Sequence, residues 1–232
     1  MNRRWTTFGF AILMSALVFA QDASLAWAPK AGETHTYALH IEFSLFGDTA
    51  VYTSKVQEKV TEASGDRYTV ETSQTDYKVS VFGEEGTVND KDMPKAQTVF
   101  ASNGDVLEVR GDLVNDAVYR MANLTAIRRP DKPVKVGDTW TREAKGDLKT
   151  GALSSKVNYK VEAEEKVGER DALAVSFDYT ETEGTDPARS VGKVWFEKTG
   201  GLVLKVETTW SSAPIPGSQN PITGTMKLEL EK

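Results

Sequence analysis

Three observations predict an all-β fold, built from two related antiparallel modules in a curved sheet or sandwich with one helix at their junction. The first is a period of two. Tyr37, Leu39, Ile41, Phe43 and Leu45 alternate with Thr36, Ala38, His40, Glu42 and Ser44, the pattern of a strand with one buried face. The second is internal repetition: Lys30-Ala31-Gly32-Glu33-Thr34 returns as Lys135-Val136-Gly137-Asp138-Thr139, and further landmarks follow in the same order. Gly65-Asp66 before a run ending in Tyr77 matches Gly168-Glu169 before a run ending in Tyr179. Phe100, Gly104 and the expected strand 106–109 match Phe196, Gly200 and 202–206. Ordered anchors at a nearly constant offset imply two copies of a module of roughly a hundred residues, an ordinary domain size. The third observation is that a single segment, 112–127, carries helical rather than strand spacing.

Residues 1–20 read as a secretory signal peptide. Arg3 and Arg4 form a charged start, residues 10–20 form an apolar run of eleven, and Val18-Phe19-Ala20 offers a small-residue cleavage site. A membrane-spanning helix needs about 20 apolar residues, so no integral span is expected after cleavage. Ser24-Leu25-Ala26 offers a second site, and the mature chain is expected to begin at Gln21 or Trp27. The first β repeat then covers residues 27–129 and the second 130–232. There is no cysteine, which excludes a lipid-modified N-terminus and leaves stability to the core alone.

Further alternation marks strands at Val157, Tyr159 and Val161, at Leu173, Val175, Phe177 and Tyr179, and at Met226, Leu228 and Leu230, giving thirteen or so strands in all. Short glycine turns between them read as antiparallel hairpins. Asn103-Gly104 carries the strongest signal, that of a type I′ turn. In the helical segment Leu113, Val114, Ala117, Val118, Met121, Leu124 and Ile127 fall on one face; Asp112 is the expected N-cap and Pro130 ends the run. On a flat sheet that face would be core. Over a curved one it would close an apolar cavity, with Leu113, Val118, Met121 and Leu124 as the residues expected to border a ligand.

The helix and the stretch Pro130-Asp131-Lys132-Pro133-Val134-Lys135-Val136-Gly137-Asp138-Thr139-Trp140 together resemble uncharacterised exported bacterial β-rich domains, in which a Pro-x-Lys-Pro-Val-x-Val-Gly-Asp-Ser-Trp stretch starts the second half. Thr139 stands where that pattern has serine. The resemblance implies export and a β fold and brings no catalytic residue with it. A curved antiparallel sheet with a helix at its opening is also similar to the bacterial lipoprotein-carrier fold, a likeness of architecture alone.

Composition narrows the chemistry. The formal net charge is −6, and loss of Arg3 and Arg4 with the signal takes it to −8, which argues against nucleic acid as a partner. Without cysteine or a Gly-x-Ser-x-Gly elbow, nucleophilic catalysis has little to work with. His35 and His40 lie an odd number of positions apart on one strand and point to opposite faces, so a metal held by both is not expected. Asn89-Asp90-Lys91-Asp92 spaces oxygen ligands as calcium loops do but lacks their glycine and terminal glutamate. Glu84-Glu85 and Glu162, Glu164 and Glu165 are expected to be solvated charge; Trp140, Trp195 and Trp210 are expected in the core rather than on a sugar-stacking platform.

The expected function is therefore that of an exported, non-catalytic binding protein, periplasmic or extracellular, without cofactor or metal, whose partner is an apolar or lipid-like small molecule. The alternatives are an interaction or structural protein of the cell envelope, pairing through a strand edge, and a hydrolase built on two carboxylates.

Overall fold

The computed structural model describes residues 22–45, 47–86, 95–216 and 220–231. The expected signal peptide and the oxygen-rich loop at Asn89 to Asp92 lie outside the described residues. Twelve strands and one helix form among those described: β1 Thr34–Leu45, β2 Asp48–Ser64, β3 Arg67–Val81, β4 Glu84–Gly86, β5 Ala96–Ala101, β6 Val106–Gly111, α1 Asp116–Thr125, β7 Thr139–Ala144, β8 Ser155–Val167, β9 Arg170–Glu181, β10 Arg189–Glu197, β11 Val203–Ala213 and β12 Ile222–Leu230. The described residues are all-β with a single helix.

All strands belong to one open antiparallel sheet in the order β6-β5-β3-β2-β1-β12-β11-β10-β9-β8-β7, with β4 attached to β3. Each half is a meander, and the last strand, β12, lies between β1 and β11. The halves are thus fused through β12 into one continuous sheet.

The repeated landmarks recur as the same local structure. The Lys30 amide donates to the Glu33 carboxylate at 2.9 Å and the Lys135 amide to that of Asp138 at 3.0 Å. Gly32 and Glu33 exchange backbone hydrogen bonds with Val60, and Gly137 and Asp138 do so with Val161. A β-bulge follows each of these valines, after Val60 in β2 and after Val161 in β8. A second pair of bulges sits at Phe100 and Phe196. An extra residue sharpens the local twist of a strand, so both halves bend at equivalent places.

Two expectations require correction. The Asn103-Gly104 turn is not type I′, because only Gly104 has positive φ, at 88°. Gly104 donates to the Ala101 carbonyl and Ala101 to that of Asp105, a tight turn closed by a left-handed glycine. The Asn103 side chain accepts from the Asp105 amide instead, a local bond that asparagine makes readily. The helix is also shorter than expected, starting at Asp116 rather than after Asp112. Asn115 is the N-cap, its side chain accepting from the Val118 amide at 3.0 Å. Both residues are competent caps, and helical periodicity by itself does not choose between them.

Candidate functional site

Helix α1 packs against both β6 and β10, which fixes the shape of the sheet. Seven strand spacings separate those two strands, about 34 Å on a flat sheet at roughly 4.8 Å each. A helix with its side chains is only about 10–12 Å across. The sheet therefore curls around α1, and its inward side chains form the main core: Tyr37, Leu39, Val56, Tyr159, Val175, Phe196 and Trp210 among them.

The curl leaves two hollows beside the helix. The larger, about 520 Å³, is walled by Leu39, Ile41 and Phe43 of β1, Tyr52 of β2 and Val79 of β3. Trp210, Ile215, Ile222 and Met226 close the other side, and Met121 and Thr125 of α1 form the roof. Its polar atoms are mostly occupied within the protein. The Tyr52 hydroxyl donates to Gln74 at 2.6 Å, and the Thr125 hydroxyl donates to the Met121 carbonyl at 2.9 Å. Of the described side chains lining it, the Trp210 indole N–H is buried without an acceptor. What remains is a surface suited to hydrocarbon.

The smaller hollow, about 270 Å³, meets the larger at Thr125 and Met226 and is lined by Trp27, Tyr37, Tyr68, Phe100, Glu58 and Arg129 together with the end of α1. Its polar groups differ from their neighbours in how they are satisfied. Arg128, only 1% exposed, binds the Asp105 carboxylate at 3.0 Å and the Asn123 side-chain oxygen at 2.7 Å. Arg129, next in the chain and 5% exposed, has no carboxylate in ion-pair contact among the described residues. Its guanidinium reaches the carbonyls of Gly201 at 3.2 Å and Ile127 at 3.5 Å, engages the Tyr68 side chain, lies over the rings of Trp27 and Phe196, and leaves Nε without an acceptor. Glu58 is half-buried; desolvation pushes its carboxyl above the ordinary carboxylate range, opposed by His35 and Arg129. Burial likewise raises the Tyr37 and Tyr68 hydroxyls, and that of Tyr37 donates to the Val203 carbonyl.

Of the residues singled out in the sequence, Met121 lines the larger hollow. Leu124 is buried in the main core, Val118 is half-buried away from both hollows, and Leu113 precedes the helix with 63% of its surface exposed. Sequence reasoning missed Glu58 and Arg129. Glu58 had a signal, because it shares one side of β2 with Tyr52, Ser54, Val56 and Val60, where alternation assigns core. His35 and His40 face opposite sides, bonded to Glu33 and Glu42 respectively. The tryptophans form no exposed platform: Trp195 and Trp210 are buried, and Trp140 stacks on Tyr159 at 4.7 Å.

No family model and no curated protein matches the sequence. Among solved structures, the chain is similar to lipovitellin, in a structure described as showing lipid–protein interactions, with a TM-score of 0.51 and 13% identity. The likeness covers 88% of this chain but 25% of lipovitellin, so the chain spans about a quarter of that protein's length. A Bacteroides fragilis protein with a YmcC-like fold aligns over 91% of this chain and all of its own, at 12% identity and a TM-score of 0.39. The lipovitellin likeness is one of fold. Among the described residues, no helix is long and apolar enough to cross a membrane.

Proposed function

We propose that the protein is a non-catalytic carrier that holds an apolar small molecule in the larger hollow, after export to the periplasm or the cell exterior. The observation that carries this reading is the hollow itself. An apolar hollow open to solvent keeps hydrocarbon against water, a cost that an apolar ligand seated there removes. A space of about 520 Å³ whose walls are nearly all hydrocarbon falls within the usual size of small-molecule sites. Helix α1 roofs it, and Met121 presents an adaptable thioether there. The shared fold with lipovitellin is consistent with this reading by analogy. The charged start and short apolar run of residues 1–20 support export.

Native mass spectrometry of protein purified from its host, before and after organic extraction, tests the proposal. The expected result is an extra mass that extraction removes, together with a rise in melting temperature on adding fatty acids or phospholipids. Met121→Trp, which fills the roof, should abolish both. Ligand-free spectra with no thermal shift across the panel would overturn the carrier and favour an envelope interaction protein.

A further inference from the structure

We infer that the ligand is an anionic amphiphile, its hydrocarbon in the larger hollow and its carboxylate or phosphate head in the smaller one against Arg129. This rests on the carrier reading and adds the ligand's polarity and direction. Arg129 is 95% buried, since only 5% of its surface is exposed. Its guanidinium contacts two carbonyls and the Tyr68 side chain, leaves Nε unpartnered, and has Glu58 in the same hollow but no carboxylate in ion-pair contact among the described residues. A buried cation without a counter-charge in direct contact is costly. The adjacent Arg128 sets the contrast, because Asp105 and Asn123 satisfy it within the fold.

Two further features suit Arg129 to a ligand. A guanidinium offers a planar fork that matches carboxylate and phosphate, and here the rings of Trp27 and Phe196 hold it in place, 5.4 and 5.7 Å from its carbon. The hollow it lines adjoins the apolar one at Thr125 and Met226, so a charged end and a chain can belong to one molecule. Glu58 shares the smaller hollow. As a carboxylate it opposes an anion; burial favours its neutral form, whose O–H can donate to the same head group. Of the remaining polar neighbours, His35 is engaged by Glu33 at 2.8 Å and Tyr37 by Val203.

Titration calorimetry with dodecanoate, dodecyl phosphate, dodecanol and dodecylammonium separates head from chain, and acetate and inorganic phosphate separate a lipid head from a free anion. The two anionic amphiphiles should bind about tenfold tighter than the alcohol, as one charge-assisted hydrogen-bonded contact provides. The ammonium should bind weakest, and the free anions not measurably. Arg129→Gln should reduce the acid-to-alcohol ratio about tenfold; should that variant fail to fold by circular dichroism, Arg129→Lys, which keeps the charge and loses the fork, should reduce it in the same direction. Glu58→Gln should raise the ratio. Equal affinities for acid and alcohol, tightest binding of the ammonium, or free anions binding as tightly as the amphiphiles would each overturn the inference while leaving a carrier in place. Failure of every amphiphile to bind would overturn the carrier reading and this inference with it.

Discussion

Glu58 occupies a core-facing position of a long strand, and its environment makes its charge a liability. Its folded-state pKa lies above the ordinary value of 4.5, so the native state binds a proton more readily than the unfolded chain. The resulting stability is fully present below pH 4.5 and is lost as pH rises through the raised folded value. Glu58→Gln should therefore match the wild type in urea denaturation at acidic pH and be the more stable of the two at neutral pH. Parallel curves at every pH would remove Glu58 from the account. Gly104 supports a second residue-scale prediction. A Cβ there would stand 2.2 Å from the Ile127 carbonyl oxygen, in a left-handed conformation at φ 88°. At Gly32, with φ 89°, a Cβ would meet nothing within 4 Å. Gly32→Ala should cost about 1–2 kcal/mol for conformation alone, and Gly104→Ala clearly more, because the connector must move. Equal losses in thermal denaturation would mean that this crossing is not tight. Sequence showed both glycines as turn residues. It could not show that one turn lies beneath the segment after helix α1, because that contact joins segments brought together only by the tertiary fold.

At the scale of elements, helix α1 is held to the second half by a buried bidentate pair. Arg120 donates to both oxygens of Glu181 at 2.9 and 2.7 Å, and Glu181, 2% exposed, also accepts from the Ala188 amide at 2.6 Å. Removing one partner strands a buried charge at a cost of about 3–5 kcal/mol, whereas replacing both with apolar groups is often neutral. Arg120→Ala should accordingly lose that much stability in urea, and the pair Arg120→Met with Glu181→Leu should recover most of it. A loss below about 1 kcal/mol for Arg120→Ala would show a surface-like ion pair instead. The segment before β1 yields a prediction about processing. Ala23 exchanges two backbone hydrogen bonds with Val134, and Leu25 is 1% exposed. Cleavage after Ala26 would discard both, so under the proposed export the processed chain should begin at Gln21, as N-terminal sequencing would read; a start at Trp27 would contradict this. The sequence left the two sites open because their local signals are alike, and only the packing of Leu25 separates them. The stretch 130–140 is also explained structurally. Val134 receives Ala23, Lys135 and Asp138 close the turn, and the Trp140 indole donates to the Arg128 carbonyl.

For the whole molecule, the position of β12 decides how the halves behave. Alternation marked β12 as a strand, and repetition implied two halves, but neither located the last strand between the first and the eleventh. That pairing joins the first strand to the last, and no local residue choice encodes it. Its register runs from Tyr37 opposite Leu230 to Phe43 opposite Gly224 on one side, and from Lys205 opposite Glu229 to Ala213 opposite Ile222 on the other. Contacts from both ends of the first half also cross into the second. The backbone of Leu25, ahead of the first half, crowds Gly201, and the Arg129 guanidinium, at its end, donates to the Gly201 carbonyl. With a shared strand and these crossing contacts, neither half has an independent boundary to unfold along, so two-state behaviour is expected despite the repeat. Trp27 reports on the first half through its edge contact with Tyr68 at 5.1 Å, while Trp140 reports on the second through Tyr159. Variants retaining only one of these tryptophans should give coincident urea midpoints, matching the loss of far-ultraviolet circular dichroism. Two separate midpoints would show that each repeat folds as its own unit, and β12 would then be a contact between domains rather than the strand that joins them.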